Sequence, residues 1–204
     1  MVKLLSEPLY ASMQSLAVAT GVVALAEVGD KTQLLAFVLA ARFKKPVPII
    51  GGILVATIIN HGLAGALGAW IVNTVNPEYL RWALGASFIA MAGWTLIPDK
   101  IEEEETQIAN KYGVFGATLL TFFLAEMGDK TQIATVALAA HFAQPVIVVI
   151  GTTLGMLIAD VPAVFLGDRV AEKIPMKLVH TIAAAVFAAL GIATLMGLGD
   201  MVRV

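Results

Sequence analysis

Residues 26–33 read AEVGDKTQ and residues 125–132 read AEMGDKTQ, each inside a stretch that is otherwise apolar. The first copy holds Glu27, Asp30, Lys31 and Gln33; the second holds Glu126, Asp129, Lys130 and Gln132. Each thus packs two carboxylates, an ammonium and an amide into seven residues. On a helix, positions three and four apart share a face, so Glu27 and Asp30 would project together and Glu27 could also reach Lys31. Gln33 would sit on another azimuth, about 60° beyond Glu27. Unwinding at Gly29 would free backbone carbonyls to coordinate as well. Carboxylates, amide carbonyls, hydroxyls and water are hard oxygen donors, the set that suits Mg, Ca or Mn. Glu27, Asp30, Glu126 and Asp129 set against Lys31 and Lys130 leave a net charge of −2, which balances one divalent cation. The lysines, in a gating or salt-bridge role, would neutralise the acids when the cation leaves; protonation would do the same. Competition of metal and protons for the same carboxylates is a sufficient basis for antiport.

Three more polar residues interrupt apolar stretches: Asn60 and His61 in IINHGLAGALG, and Asp160 in LIADVPAVFLG. Asn60 and Asp160, with Gln33 and Gln132, are further candidate metal ligands. His61 is a candidate for proton coupling. The plainer reading of each is a polar contact between helices. One Glu–Lys pair alone would read as a brace within its own helix, and Thr32 and Thr131 suit a bond to the helix backbone as well as a cation. Cysteine is absent, which removes disulfides, thiolate metal sites and cysteine nucleophiles. His61, His141 and His180 are the only histidines, so a tetrahedral zinc site is less favoured. No Ser/His or paired-Asp protease motif stands out, so the reading is a transporter rather than an enzyme, with no resident cofactor.

The elements that must position these groups are membrane helices. The chain is 59% hydrophobic and 14% charged, where a soluble domain has about 25% charged residues. Apolar segments run over 10–42, 47–74, 79–97, 111–142, 146–167 and 176–198. The first continues past Lys31 to Ala41 and reads as a retained span, not a signal peptide. Segments one and four are longer than the ~20 residues a span requires, so a tilt, a break at Gly29 and Gly128, or an interfacial extension must absorb the excess.

The halves repeat at an offset of 99. Beyond the motifs, Ala40, Phe43 and Pro46 match Ala139, Phe142 and Pro145; Gly52, Gly68 and Phe88 match Gly151, Gly167 and Phe187. His61 aligns with Asp160, a break in the symmetry. The expected fold is an all-α integral membrane protein: six transmembrane helices as two inverted-topology three-helix repeats, since an odd number of spans makes the second half enter from the opposite side. Residues 1–98 form the first repeat, 99–110 an acidic cytoplasmic linker and 111–204 the second repeat. Arg42, Lys44, Lys45, Lys100, Lys111, Arg169, Lys173 and Lys177 fall on one side, and Lys3, Arg81 and Arg203 on the other. That asymmetry puts the first, third and fifth loops in the cytoplasm and both termini outside. The run Glu102 to Glu105 then lies in a cytoplasmic loop.

The two motifs resemble the paired E-x-G-D-K/R-T/S signatures of the manganese/calcium exporter family. The resemblance covers essentially the whole chain, with no departure inside either motif. It implies antiport of Mn²⁺ or Ca²⁺ against protons, with Glu27, Asp30, Glu126 and Asp129 forming the cation site. The partners implied are a divalent metal ion, protons and the lipid bilayer, with no nucleic acid; a homodimer is compatible. The size is similar to that of bacterial members, which implies Mn²⁺ export across a bacterial inner membrane. The residues by themselves specify a hard divalent cation, so Ca²⁺/H⁺ exchange stays open, as does export of a cationic amino acid.

Overall fold

The computed structural model describes residues 2–97, 112–166 and 176–197, with side chains from residue 9 onward. The acidic linker 99–110, with Glu102 to Glu105, and most of the fifth loop lie outside the described residues. The described residues are helical throughout: α1 (Val2–Glu27), α2 (Lys31–Phe43), α3 (Pro46–Thr74), α4 (Pro77–Thr95), α5 (Gly113–Glu126), α6 (Lys130–Phe142), α7 (Pro145–Leu166) and α8 (Met176–Leu195). These are eight helices, not six continuous ones, because segments one and four each break at their motif.

The breaks are set by glycine. Gly29 and Gly128 adopt φ of 84° and 79°, a region that costs a side-chain-bearing residue ~1–2 kcal/mol. The chain turns there, and Asp30 and Asp129 re-enter as extended N-cap residues of α2 and α6. The far ends of α2 and α6 also match. Lys44 and Ala143 close them in the left-handed conformation, and Pro46 and Pro145 open the next helices, where a missing N–H costs nothing. Asn76 caps α4 by accepting a hydrogen bond from the Glu78 N–H at 3.0 Å.

Packing repeats across the halves. α1 lies along α7 as α5 lies along α3, and α2 meets α7 as α6 meets α3. α4 and α8 pack on each other. Close approach relies on glycine: a Cβ at Gly155 of α7 would come within 2.7 Å of the Thr20 carbonyl and 2.9 Å of the Ala24 nitrogen on α1. Both obstacles are backbone, so Gly155→Ala must push α1 away. We expect it to destabilise the protein by ~1–3 kcal/mol, the usual cost of overpacking, read as a lower melting temperature in detergent; an unchanged melting temperature would mean that α1 and α7 pack less closely than described.

Two apolar cores result. One joins Ala19, Val22 and Ala26 of α1 to α4, α6 and Phe187 of α8. The other joins α2, the first half of α3, α5 and the second half of α7. Among the described residues, four stretches are long and apolar enough to cross a membrane: Leu9–Glu27, Pro46–Thr74, Pro145–Phe165 and Lys177–Leu195. Large apolar side chains such as Ile58, Leu63, Leu67, Ile158 and Phe165 face outward. An outer surface this apolar marks a chain that crosses a membrane several times.

Candidate functional site

Each motif is built in the same way. Asp30 N–H donates to the Glu27 carbonyl at 3.0 Å, and Asp129 N–H to that of Glu126 at 3.1 Å, closing the turn. The Gly29 N–H, orphaned by the break, donates to Gln33 Oε1 at 2.9 Å; the Gly128 N–H donates to Gln132 Oε1 at 2.7 Å. Thr32 donates to Glu27 Oε2 at 2.6 Å and Thr131 to Glu126 Oε2 at 2.9 Å. The threonines therefore steer the glutamates, a role not anticipated from sequence. The break is what permits it, by bringing a residue five positions on back against the glutamate.

The lysines reach across to the opposite motif. Lys130 Nζ reaches Asp30 of the other motif at 2.7 Å, with both side chains essentially inaccessible (1% and 0%). Lys31 Nζ reaches Asp129 at 3.3 Å, and its side chain is 18% exposed. A continuous helix would have set Lys31 beside Glu27. The break redirects each lysine across to the opposite repeat, so the two motifs are joined by reciprocal ion pairs.

Glu27, Asp30, Asp129 and Glu126 are all buried. Carboxylate oxygens of Glu27, Asp30 and Asp129 lie within 4.8 Å of one another, close enough to hold one ion. Glu126 falls outside that group, although its carboxylate and that of Asp160 are electrostatic neighbours of Glu27. Glu27 Oε1 and Glu126 Oε1 have no hydrogen-bond partner among the described residues, nor does either oxygen of Asp160, which is fully buried. A buried carboxylate oxygen without a donor is costly unless a cation or proton satisfies it.

The remaining sequence candidates divide. Gln33 Nε2 donates to the Ala159 carbonyl on α7 at 2.9 Å, one residue before Asp160. Pro162, inside α7, has no N–H to give to the preceding turn, which loosens carbonyls there. Gln132 Nε2 reaches Asn60 Oδ1 at 3.5 Å, and Asn60 Nδ2 donates to the Phe123 carbonyl at 3.1 Å. Both glutamines and Asn60 thus tie a break to a helix of the opposite half. His61 is fully buried, and neither ring nitrogen has a partner among the described residues. His180, not singled out from sequence, donates from Nε2 to the Val28 carbonyl at 3.1 Å. Its only sequence signal is its place as a polar residue one turn into an apolar helix.

Comparison with known proteins agrees with this construction. The chain matches the family described as divalent cation/proton antiporter GDT1 twice, over residues 15–103 and 114–201. It is 48% identical over 183 residues to a Vibrio cholerae protein named "Putative manganese exporter", covering 89% of this chain and 90% of that one. A GDT1-like protein 3 of Oryza sativa subsp. indica is 29% identical over 208 residues, covering 90% of this chain and 71% of that one. A GDT1-like protein of Synechocystis is 29% identical over 178 residues, covering 74% and 84%. No solved structure matches. With two matched copies spanning most of its length, each carrying near its start a motif that contributes acids to one buried cluster, this chain belongs to the GDT1 family of divalent cation/proton antiporters.

Proposed function

We propose that the chain exports Mn²⁺ from the cytoplasm in exchange for protons. The observation that carries this is the convergence of Glu27 and Asp30 of one motif with Asp129 of the other, tied by crossed lysine pairs. An inward-folded acid cluster in an apolar chain has no structural need of three carboxylates, and membrane-buried charge costs ~2.5–3.5 kcal/mol per residue near a helix centre. The manganese preference rests on the name of the Vibrio relative. In this reading residues 1–98 and 111–204 are inverted three-helix repeats joined by the linker 99–110. The broken pairs α1–α2 and α5–α6 each count as one span, giving six. The charge asymmetry of the loops supports a reading with both termini outside a bacterial inner membrane.

The chemistry follows from the contacts. Glu27, Asp30 and Asp129 supply oxygen ligands, and Asp160, Glu126, Asn60, Gln33 and Gln132 lie on the elements around them. The Lys130 and Lys31 ammonium groups on Asp30 and Asp129 stand in for the cation's charge when it is absent. Metal binding must displace them or outcompete protons for the same oxygens, so binding one ion releases positive charge elsewhere in the site. His61 remains a candidate proton carrier.

Purified protein in liposomes carrying an acid-inside pH gradient is expected to take up external Mn²⁺ and to alkalinise the lumen as it does so. Uptake should collapse when a protonophore removes the gradient. Ca²⁺ uptake with no Mn²⁺ uptake would move the substrate to Ca²⁺. Uptake of arginine or lysine in place of either ion would reject the metal reading.

A further inference from the structure

The two halves repeat in sequence and in most of their packing, but α4 and α8 break the symmetry. α8 packs on α1, and α4 packs on α6. The mirror packings, α4 on α5 and α8 on α2, are not built as interfaces among the described residues. The two cores carry the same asymmetry. Leu80, Leu84, Phe88 and Met91 of α4 and Phe187 of α8 join the core that contains α1 and α6, and neither helix contributes to the core that contains α2 and α5.

Two histidines hold the pair there. His141, at the end of α6, sets its ring edge-on to Phe88 of α4 with centroids 5.8 Å apart, and its Nδ1 lies 3.4 Å from Thr194 Oγ1 of α8. His180 of α8 donates to the Val28 carbonyl beside the first break. At the offset of 99, His141 corresponds to Arg42, Phe88 to Phe187, Thr194 to Thr95 and His180 to Arg81. Every side chain of the latch therefore has a sequence counterpart of similar chemistry in the other repeat. Arg81 lies over Trp82 at 5.5 Å, and its Nε is buried without a hydrogen-bond partner among the described residues.

The site is sealed on the same end. Lys130 begins α6, the helix that α4 packs on, and is 1% exposed; Lys31 begins α2, which neither α4 nor α8 covers among the described residues, and is 18% exposed.

We infer that the α4–α8 pair is the moving part of the transporter, latched by His141 and His180 at the α1–α6 end in this state and by Arg42 and Arg81 at the α2–α5 end in the opposite one. This rests on the inverted-repeat reading proposed above. Because α2 ends at Lys44 and Lys45, the uncovered end is the cytoplasmic one, and the state described is the one that loads metal. Rocking the pair exchanges one packed interface for its sequence-related twin, so both states bury comparable side chains and can be close in free energy.

The chain lacks cysteine, which makes the test direct. Phe88→Cys with His141→Cys, bridged in proteoliposomes through two disulfides by a short bis-methanethiosulfonate reagent that releases sulfinate, fastens α4 to α6. Mn²⁺ transport should be lost on bridging and return on reduction, while Mn²⁺ binding persists in the bridged protein. Transport by the bridged protein at the reduced rate overturns the inference but leaves Mn²⁺ export standing; absence of Mn²⁺ transport in the unmodified chain instead overturns the function it rests on. Should the reduced pair itself be inactive, spin labels at the exposed positions Val38 of α2 and Ile182 of α8 decide the matter. Two distance populations whose ratio shifts with Mn²⁺ support a rocking pair, and a single unchanging distance overturns it.

Discussion

Lys130→Met should be among the most disruptive single substitutions in the protein, and Lys31→Met markedly milder. Lys130 and Asp30 form a pair that solvent does not reach, at 2.7 Å. Removing one partner of such a pair leaves the other charge buried and costs ~3–5 kcal/mol. Lys31 and Asp129 are further apart at 3.3 Å, and Lys31 is partly solvated. Its loss should fall between that range and the ~0–1 kcal/mol of an exposed pair. Melting temperatures in detergent would measure both. The double variant Lys130→Met with Asp30→Asn should recover much of the lost stability, since both charges then leave together. Equal losses for the two lysines, or no recovery in the double variant, would mean that the ion pairs do not brace the fold as described.

Glu27→Gln and Glu126→Gln should separate, although sequence treats the two residues as equals. Glu27 belongs to the group of three acids within 4.8 Å, and Glu126 does not. Losing a proposed direct ligand and its charge should weaken Mn²⁺ binding by more than the ~10–100-fold typical of removing an outer hydrogen-bond partner of a metal site. On the inferred motion of the α4–α8 pair, which would exchange the roles of the two repeats, Glu126→Gln should retain most of the equilibrium affinity in the state described and lose turnover. Calorimetric titration with Mn²⁺ beside transport rates resolves the two effects. Identical binding losses for both variants would contradict an asymmetric site.

Much of this was legible in the chain before any coordinates. The duplicated motif pointed to a two-part site, and the excess length of segments one and four left a tilt, a break at Gly29 and Gly128, or an interfacial extension; the structure has the break. A φ near 80° explains why glycine stands there. What periodicity could not supply was the direction of the side chains past the break. Helical spacing put Lys31 against Glu27, whereas the turn sends it to Asp129 and brings Thr32 back onto Glu27. Gln33, read as a ligand candidate, uses its amide to join the Gly29 N–H to the Ala159 carbonyl. That partner is a backbone atom 126 residues away, and no local pattern encodes it. The inequality of the two halves was also hidden. Two nearly identical octapeptides cannot reveal that one lysine is sealed and the other partly open, because exposure depends on packing partners outside the octapeptide.

The most direct test of a shared cation site is the position of the ion itself. In crystals grown with Mn²⁺, anomalous scattering collected at the manganese edge should give one strong peak per chain, within bonding distance of carboxylate oxygens from Glu27, Asp30 and Asp129, with the Lys130 and Lys31 ammonium groups withdrawn from Asp30 and Asp129. A peak held by one motif alone, or in the loops and not among these acids, would contradict the claim that the two copies build a single site.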